Sequence, residues 1–150
     1  MAKETEYKFL VINESYKETA TGSSRIEQGY ISRRKEGTVR VRIRDDEGFL
    51  TVKGANRGAT RDEWEYRIPV SEAREMLDRV CLDGVISKTR WIVPYGGRIW
   101  EVDEFHGGHE GLTMAEIELP DAGIAISEVE LPPFVGENVT GDPRYYNSNL

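Results

Sequence analysis

The sequence predicts a mainly β (α+β) protein: an eight-stranded antiparallel β-barrel with a few peripheral helices. Three observations predict it. Short stretches alternate apolar and charged residues with the period of two that puts neighbours on opposite faces of a strand. Most connections between them are short and rich in Gly, Asp or Pro. One stretch near the middle has helical spacing instead. About eight strands joined in series by turns close most simply into an antiparallel barrel. A chain of 150 residues has room for one domain with a real core. That domain is expected over 1–150, with the barrel over about 3–119 and a covering tail over 120–150.

The first strand is expected over about Lys3–Ile12. Glu4, Glu6 and Lys8 share one of its faces, and Thr5, Tyr7, Phe9 and Val11 share the other. Residues Asn13–Ser24 are polar and small and read as a loop or frayed helix. A second strand follows at about Ile26–Arg34. The third, Thr38–Arg44, has the cleanest alternation: Val39, Val41 and Ile43 oppose Arg40, Arg42 and Arg44. The fourth, Phe49–Gly54, sets Lys53 against Leu50 and Val52. The fifth, about Asp62–Pro69, sets Glu63, Glu65 and Arg67 against Trp64, Tyr66 and Ile68. Ser71 can then cap a helix whose apolar positions are Ala73, Met76, Leu77, Val80 and Cys81, ended by Asp83-Gly84. A sixth strand, about Val85–Val93, carries Lys88 and Arg90. A seventh, about Arg98–Phe105, carries Glu101 and Asp103, and an eighth, about Leu112–Leu119, carries Glu116 and Glu118. The Gly- and Pro-rich tail has short apolar pieces and ends in DPRYYNSNL.

Bulk composition narrows the function classes. Charged residues make up 31% of the chain and the formal net charge is -7, which argues against a nucleic-acid or anionic-membrane surface. The single cysteine, Cys81, excludes a disulfide framework or a Cys-rich zinc site. No signal peptide or transmembrane run opens the chain, and a cytoplasmic protein is expected.

The charged strand faces admit two readings. In one, the apolar face is the core and the charged face meets water, as is common in half-buried antiparallel sheets. Ion pairs across it would then be worth at most about 1 kcal/mol each. In the other, the charged face lines a wet tunnel that holds ions. Burying unpaired charge costs several kcal/mol per ion, so such a tunnel needs anions against its basic residues and hard cations against its carboxylates. The apolar outer face would then need covering by the helix, the tail or a second subunit, and the last of these makes a homodimer an expectation.

The pattern E-x-E-x-K at Glu4, Glu6 and Lys8 resembles the signature of the CYTH superfamily, the triphosphate tunnel metalloenzymes. The resemblance continues in order through VRVRIR at Val39–Arg44, LTVKG at Leu50–Gly54, EWEYRIP at Glu63–Pro69, SKTRW at Ser87–Trp91, WEVDEF at Trp100–Phe105 and GLTMAEIEL at Gly111–Leu119. QGY at Gln28–Tyr30 is similar to the small bacterial members. The resemblance implies an eight-stranded barrel forming a charged tunnel, and a reaction on a triphosphate group with Mg2+ or Mn2+. It implies Glu4, Glu6, Glu116 and Glu118 as metal ligands, and Glu63, Glu65 and Asp103 as a second acidic group for a further metal or the attacking water. Arg40, Arg42, Lys53, Lys88 and Arg90 are then implied as phosphate ligands, with Lys8 on phosphate or on the leaving group. Some members place a basic residue from a C-terminal helix over the tunnel. Here no lysine follows Lys88, and Arg144 is the only arginine after Arg98.

The expected function is metal-dependent hydrolysis of a triphosphate, most simply inorganic triphosphate, by water attack on the terminal phosphorus. The alternatives are a class IV-type adenylyl cyclase, a thiamine triphosphatase, and, from a different class, a non-catalytic polyphosphate- or nucleotide-binding module. Other signals read blandly. His106 and His109 lie in a Gly-rich turn, and a hard-cation site prefers oxygen. Cys81 reads as core, and Trp64, Trp91 and Trp100 read as outer packing. Phe134, Tyr145 and Tyr146 are expected on the barrel exterior.

Overall fold

The structure, a computed structural model, describes residues 3–150. Its strands are β1 (Lys3–Val11), β2 (Gly22–Arg34), β3 (Gly37–Arg44), β4 (Glu47–Lys53), β5 (Thr60–Ile68), β6 (Ile86–Tyr95), β7 (Arg98–Phe105), β8 (Thr113–Leu119) and β9 (Val135–Asn138). The helices are α1 (Tyr16–Thr19) and α2 (Val70–Arg79). Among the described residues no helix is long and apolar enough to cross a membrane.

The sheet runs β5-β4-β3-β2-β6-β7-β8-β1-β9, and β5 also pairs with β1. All the pairings are antiparallel. The eight expected strands therefore close into a barrel, with a ninth added. The closure is narrow: Lys3, Glu4 and Thr5 pair with Asp62, Arg61 and Thr60. Past that seam, the edge of β1 is taken over by β9, with Phe9 opposite Asn138 and Val11 opposite Val135.

The outer face is apolar and mostly covered. Phe9, Trp100, Val102, Ala115 and Ile117 form a core with Tyr16 of α1 and with Val129 and Phe134 of the tail. Removing one such side chain from water stabilises the fold by ~1.5–3 kcal/mol. On the opposite side, α2 lies across β2, β3 and β4 and packs Ala73 and Leu77 against Val41 and Ile43. Two glycines make room for this helix and the turn after it. A Cβ at Gly29 would meet Cys81 Cβ at 2.8 Å, and one at Gly48 would meet Ala73 Cβ at 3.0 Å. Trp64 and Tyr66 on the outer face of β5 stay exposed.

Several local expectations are corrected. β2 begins at Gly22, not near Ile26, because Gly22, Ser23 and Ser24 pair with Ile92, Trp91 and Arg90 of β6. Tertiary pairing there overrides weak strand propensity. Pro69, not Ser71, is the N-cap of α2, and the helix ends at Arg79. Val80 is accordingly exposed, while Cys81 still turns inward and is buried. Pro94 lies inside β6, facing Ile99.

Candidate active site

Alternation along the strands places the charged residues inside the barrel, around a cavity of about 230 Å³. β1 supplies Glu4, Glu6 and Lys8. β3 supplies Arg40 and Arg42, β4 Lys53, and β5 Glu63 and Glu65. β6 supplies Lys88 and Arg90, and β8 supplies Glu116 and Glu118. Each of these expected site residues lines the cavity. The solvated-face reading fails at the deepest of them, because Lys88 is 0% exposed.

Asp103 is brought to the same network but does not line the cavity. It is 0% exposed and lies behind the basic residues. Its two oxygens accept from Arg90 Nε at 2.7 Å and Nη2 at 2.8 Å, and Lys88 Nζ stands 2.7 Å away. Burial alone would raise the Asp103 pKa, but Arg90 and Lys88 outweigh it and hold the carboxyl far below its usual range. Lys88 is pushed down to about 7 by burial and by the nearby Arg90 and Arg42 charges, which together exceed the pull of Asp103. Asp103 is thus held by a bidentate Arg90 contact and by Lys88 together.

The acidic side is built by register. Glu6 lies opposite Glu118 across β1 and β8, and Glu101 opposite Glu116 across β7 and β8. Like charges directly opposite each other are destabilising. Glu6 responds with a pKa raised well above normal by burial, then by Glu116 and Glu4. Glu118 is raised by burial, then by Glu4 and Glu63. Glu116 goes the other way: Lys8 and Arg90 overcome burial and lower it to about 2. Lys8 Nζ is 3.6 Å from Glu116, and its pKa is raised: burial pulls it down, but Glu116 and Glu6 outweigh that.

Lys53 joins two strands of the acidic set. Its ammonium donates to both Glu4 oxygens at 3.0 and 3.2 Å and lies 3.2 Å from Glu63. Glu63 is lowered, because Lys53 outweighs burial. Glu65 is near the mouth, with 42% of its side chain exposed. It accepts from the Thr51 hydroxyl at 2.8 Å.

Glu4, Glu6 and Glu118 crowd one another, each with its pKa raised chiefly by burial and further by neighbouring carboxylates, and such hard oxygen donors are the donor chemistry of a Mg2+-class ion. Among the described residues, no three ligating side chains already converge as a metal cluster. His106 instead shares a hydrogen bond with the Thr89 hydroxyl at 2.8 Å, and His109 packs edge-on against Phe105.

The interior also has an apolar end. Leu10, Ile86, Phe105 and Met114 stand two residues along from Lys8, Lys88, Asp103 and Glu116 on the same strand faces, and Tyr30 two along from Gln28. They pack with Val139, Tyr145 and Leu150 of the tail. The cavity is therefore a cup closed at one end. This corrects the exterior placement of two tail aromatics: Tyr146 lines the cavity and Tyr145 packs in its apolar end, while Phe134 does lie outside.

Sequence reasoning left several contributors unassigned as site residues, Arg44 and Glu101 of the lining among them, and three more stand out. Gln28 is fully buried and accepts from Arg42 at 2.9 and 2.6 Å; its place two residues before Tyr30 on one strand face could have marked it. Arg61 lines the cavity from β5. Asn147, from the tail, accepts from Lys88 Nζ at 2.8 Å; no pattern in the sequence pointed to it.

A closed antiparallel barrel enclosing an acid- and base-lined cup defines a tunnel-type phosphate enzyme fold, and the comparisons agree. The CYTH domain model matches residues 2–138, and the chain belongs to this family. It is 50% identical to an inorganic triphosphatase of Acetivibrio thermocellus over 150 residues, covering 100% of this chain and 94% of that protein. An inorganic triphosphatase of Nitrosomonas europaea is 32% identical, covering 98% of this chain and 95% of that one. The crystal structure of the inorganic triphosphatase NE1496 superposes with a TM-score of 0.67 at 30% identity, covering 99% of this chain and 94% of that one.

Proposed function

We propose that this chain, as one domain over 1–150, is an inorganic triphosphatase that converts triphosphate and water to pyrophosphate and orthophosphate. The observation that carries the choice of substrate is the cup: about 230 Å³, charged at its open part and closed by apolar packing at the other. Pockets for drug-sized ligands run from ~300 to 1,000 Å³. A compact polyanion suits this volume better than the nucleoside of a cyclase substrate or the thiamine of thiamine triphosphate.

The CYTH triphosphatase family is metal-dependent. Glu4, Glu6, Glu116 and Glu118 would hold the ion, with Mg2+ or Mn2+ as candidates. Such an ion would draw charge from phosphate oxygens and lower the pKa of a bound water. The chain's own groups do the rest. Arg40, Arg42, Lys53, Lys88 and Arg90 neutralise and orient the anion, with planar guanidiniums suited to paired phosphate oxygens. Glu63 and Glu65, at the open part, orient the water in line with the terminal phosphorus. As the water oxygen bonds to that phosphorus, the bond to the bridging oxygen breaks. Lys8, kept protonated beside Glu116, faces the charge that develops on the leaving pyrophosphate. Asp103 acts from behind, as a positioning residue for Arg90 and Lys88. Catalysis is then mostly positioning and charge stabilisation.

The net charge of -7 supports a small-molecule partner over a nucleic acid or an anionic membrane, and the reading includes a cytoplasmic location. The exposed Trp64 and Tyr66 support a homodimer, which sedimentation would test.

The direct test is phosphate release from inorganic triphosphate and from ATP, side by side with Mg2+ or Mn2+, against a Glu4→Gln/Glu6→Gln control. Fast release from triphosphate that is lost in the control is expected. No release from either substrate would overturn the proposal and direct assays to cyclic AMP and thiamine triphosphate.

A further inference from the structure

We propose that Asn147 is a substrate-binding residue, whose side-chain NH2 donates to a phosphate oxygen at the deep end of the cup. The proposal rests on the triphosphatase reading.

The end of the tail is tied into the barrel at several points. Lys8 Nζ donates to the Tyr145 carbonyl at 3.1 Å, Asn56 Nδ2 to the Tyr146 hydroxyl at 2.8 Å, and Arg33 to the Ser148 carbonyl. Tyr145 and Leu150 pack in the apolar end. Asn147 is thereby held at the boundary between the charged and apolar parts, and it lines the cavity.

The orientation of its amide is fixed by its neighbours. Lys88 Nζ lies 2.8 Å from the side chain, and an ammonium can only donate. The atom it meets must be Oδ1. Gln28 Nε2 donates to the same oxygen at 3.1 Å. The polarity of Gln28 is fixed in turn, because its Oε1 accepts from Arg42 Nε and Nη2. Donation therefore runs from Arg42 through Gln28 to Asn147, and from Lys88 to the same oxygen. The Asn147 NH2 is left as a pair of donors with no protein partner among the described residues. An acceptor-rich ligand such as triphosphate is the chemistry that would use them. A neutral donor adds to the binding of a phosphate oxygen without adding another charge to an interior already crowded with arginines.

Two variants separate this role from a merely structural one. Asn147→Asp keeps an oxygen on Lys88 but removes both N–H donors and puts negative charge beside the phosphate. Asn147→Ala removes both contacts. Each is compared with the wild type by KM and kcat on inorganic triphosphate with saturating Mg2+, and by thermal unfolding to confirm the fold. The expected result is a rise in KM of about tenfold for the alanine variant, the worth of a hydrogen bond to a charged group. A larger rise is expected for the aspartate variant, with kcat changed far less in both. A wild-type KM in Asn147→Asp would overturn the proposal, since only the contact to Lys88 would then matter. A lowered KM in Asn147→Ala would also overturn it, by making the tail an obstruction. In either case the wild type would still cleave triphosphate, so the parent reading would stand. A wild type that neither cleaves triphosphate nor binds it by calorimetry would overturn both.

Discussion

The two ends of the barrel interior are made from the same strand faces and do opposite work. Toward the mouth, the inward residues are Glu4, Glu6, Lys53, Glu63 and Glu118, and their pairing is incomplete: Glu4, Glu6 and Glu118 all have raised pKa values, each chiefly through burial. Beyond Lys8, Lys88, Asp103 and Glu116 on the same strand faces, the inward positions become Leu10, Ile86, Phe105 and Met114, which pack closely with the tail. The first end stores electrostatic cost and the second supplies hydrophobic stabilisation. A barrel can afford a charged lumen because two outer cores and this apolar base stabilise the shell around it. The difference predicts that function and stability separate along the barrel axis.

Glu6→Gln is the strongest way to break that comparison. Loss of one proposed metal ligand should reduce turnover about 10³-fold or more, the scale of a key electrostatic contact in a transition state. Stability should move the other way. The folded-state pKa of Glu6 is raised, so the folded protein holds its proton to higher pH than the unfolded chain does. At neutral pH the ionised side chain therefore costs stability, and Gln removes that cost. The expected outcome is a higher Tm at pH 7–8, with the gain shrinking as pH falls toward the ordinary glutamate value of 4.5. Thermal scans at the two pH values and a phosphate-release assay read both effects. A lower Tm at pH 7–8 would mean that Glu6 is a structural ion-pair partner.

Met114→Ala probes the other end. Met114 is buried on the same face of β8 as Glu116. Truncating it should cost ~2–5 kcal/mol, as for other large-to-small core changes, while kcat at a temperature below unfolding changes less than about twofold. Denaturant melts and steady-state rates measure the pair. A large fall in kcat with unchanged stability would erase the distinction between the two ends.

The charged end was legible in the sequence and the apolar end was not. Alternating charge marks a distinct strand face but by itself fits a solvated face as well as a lumen; the ordered run of motifs resembling the CYTH pattern turned Glu4, Glu6 and Lys8, or Arg40 and Arg42, inward. Leu10 and Met114 continue those rows as apolar residues, and nothing local distinguishes an apolar residue inside a barrel from one outside. β7 was legible to its ends, Arg98 and Phe105, because alternation and flanking turns agree. β9, with four residues, and the irregular tail around Tyr145–Asn147 carry no periodicity, so their return to the cup is set only by tertiary contacts. Asp103 was legible as an inward carboxylate, but its withdrawal behind Arg90 and Lys88 depends on side-chain geometry that spacing does not encode. Gln28, though part of the QGY stretch, and Asn147 carry no charge, and spacing gives an uncharged amide no role among so many ionised neighbours.

Lys88 sits where the two ends meet, and its titration sharpens the comparison with the smallest effect. Its ammonium lies 5.2 Å from the centre of the Phe105 ring and 2.7 Å from Asp103. Burial and two neighbouring arginines lower it to about 7, whereas Lys8, among the carboxylates, is raised. A bound polyanion favours the charged form, so KM for triphosphate should rise severalfold between pH 7 and 9 as Lys88 loses its proton, less than the full linkage of one proton because binding raises its pKa only in part. Stability should shift in the opposite sense. Between about 7 and the ordinary lysine value of 10.5 the unfolded chain binds the extra proton, so this group makes the fold more stable as pH rises through that window. Lys88→Arg keeps a charge that does not titrate in this range. Comparing KM across pH in the wild type and the arginine variant cancels the ionisation of the substrate itself. A flatter profile in the variant is expected. Parallel profiles would mean that Lys88 stays fully charged beside Asp103, and that the boundary between the two ends lies deeper than this lysine.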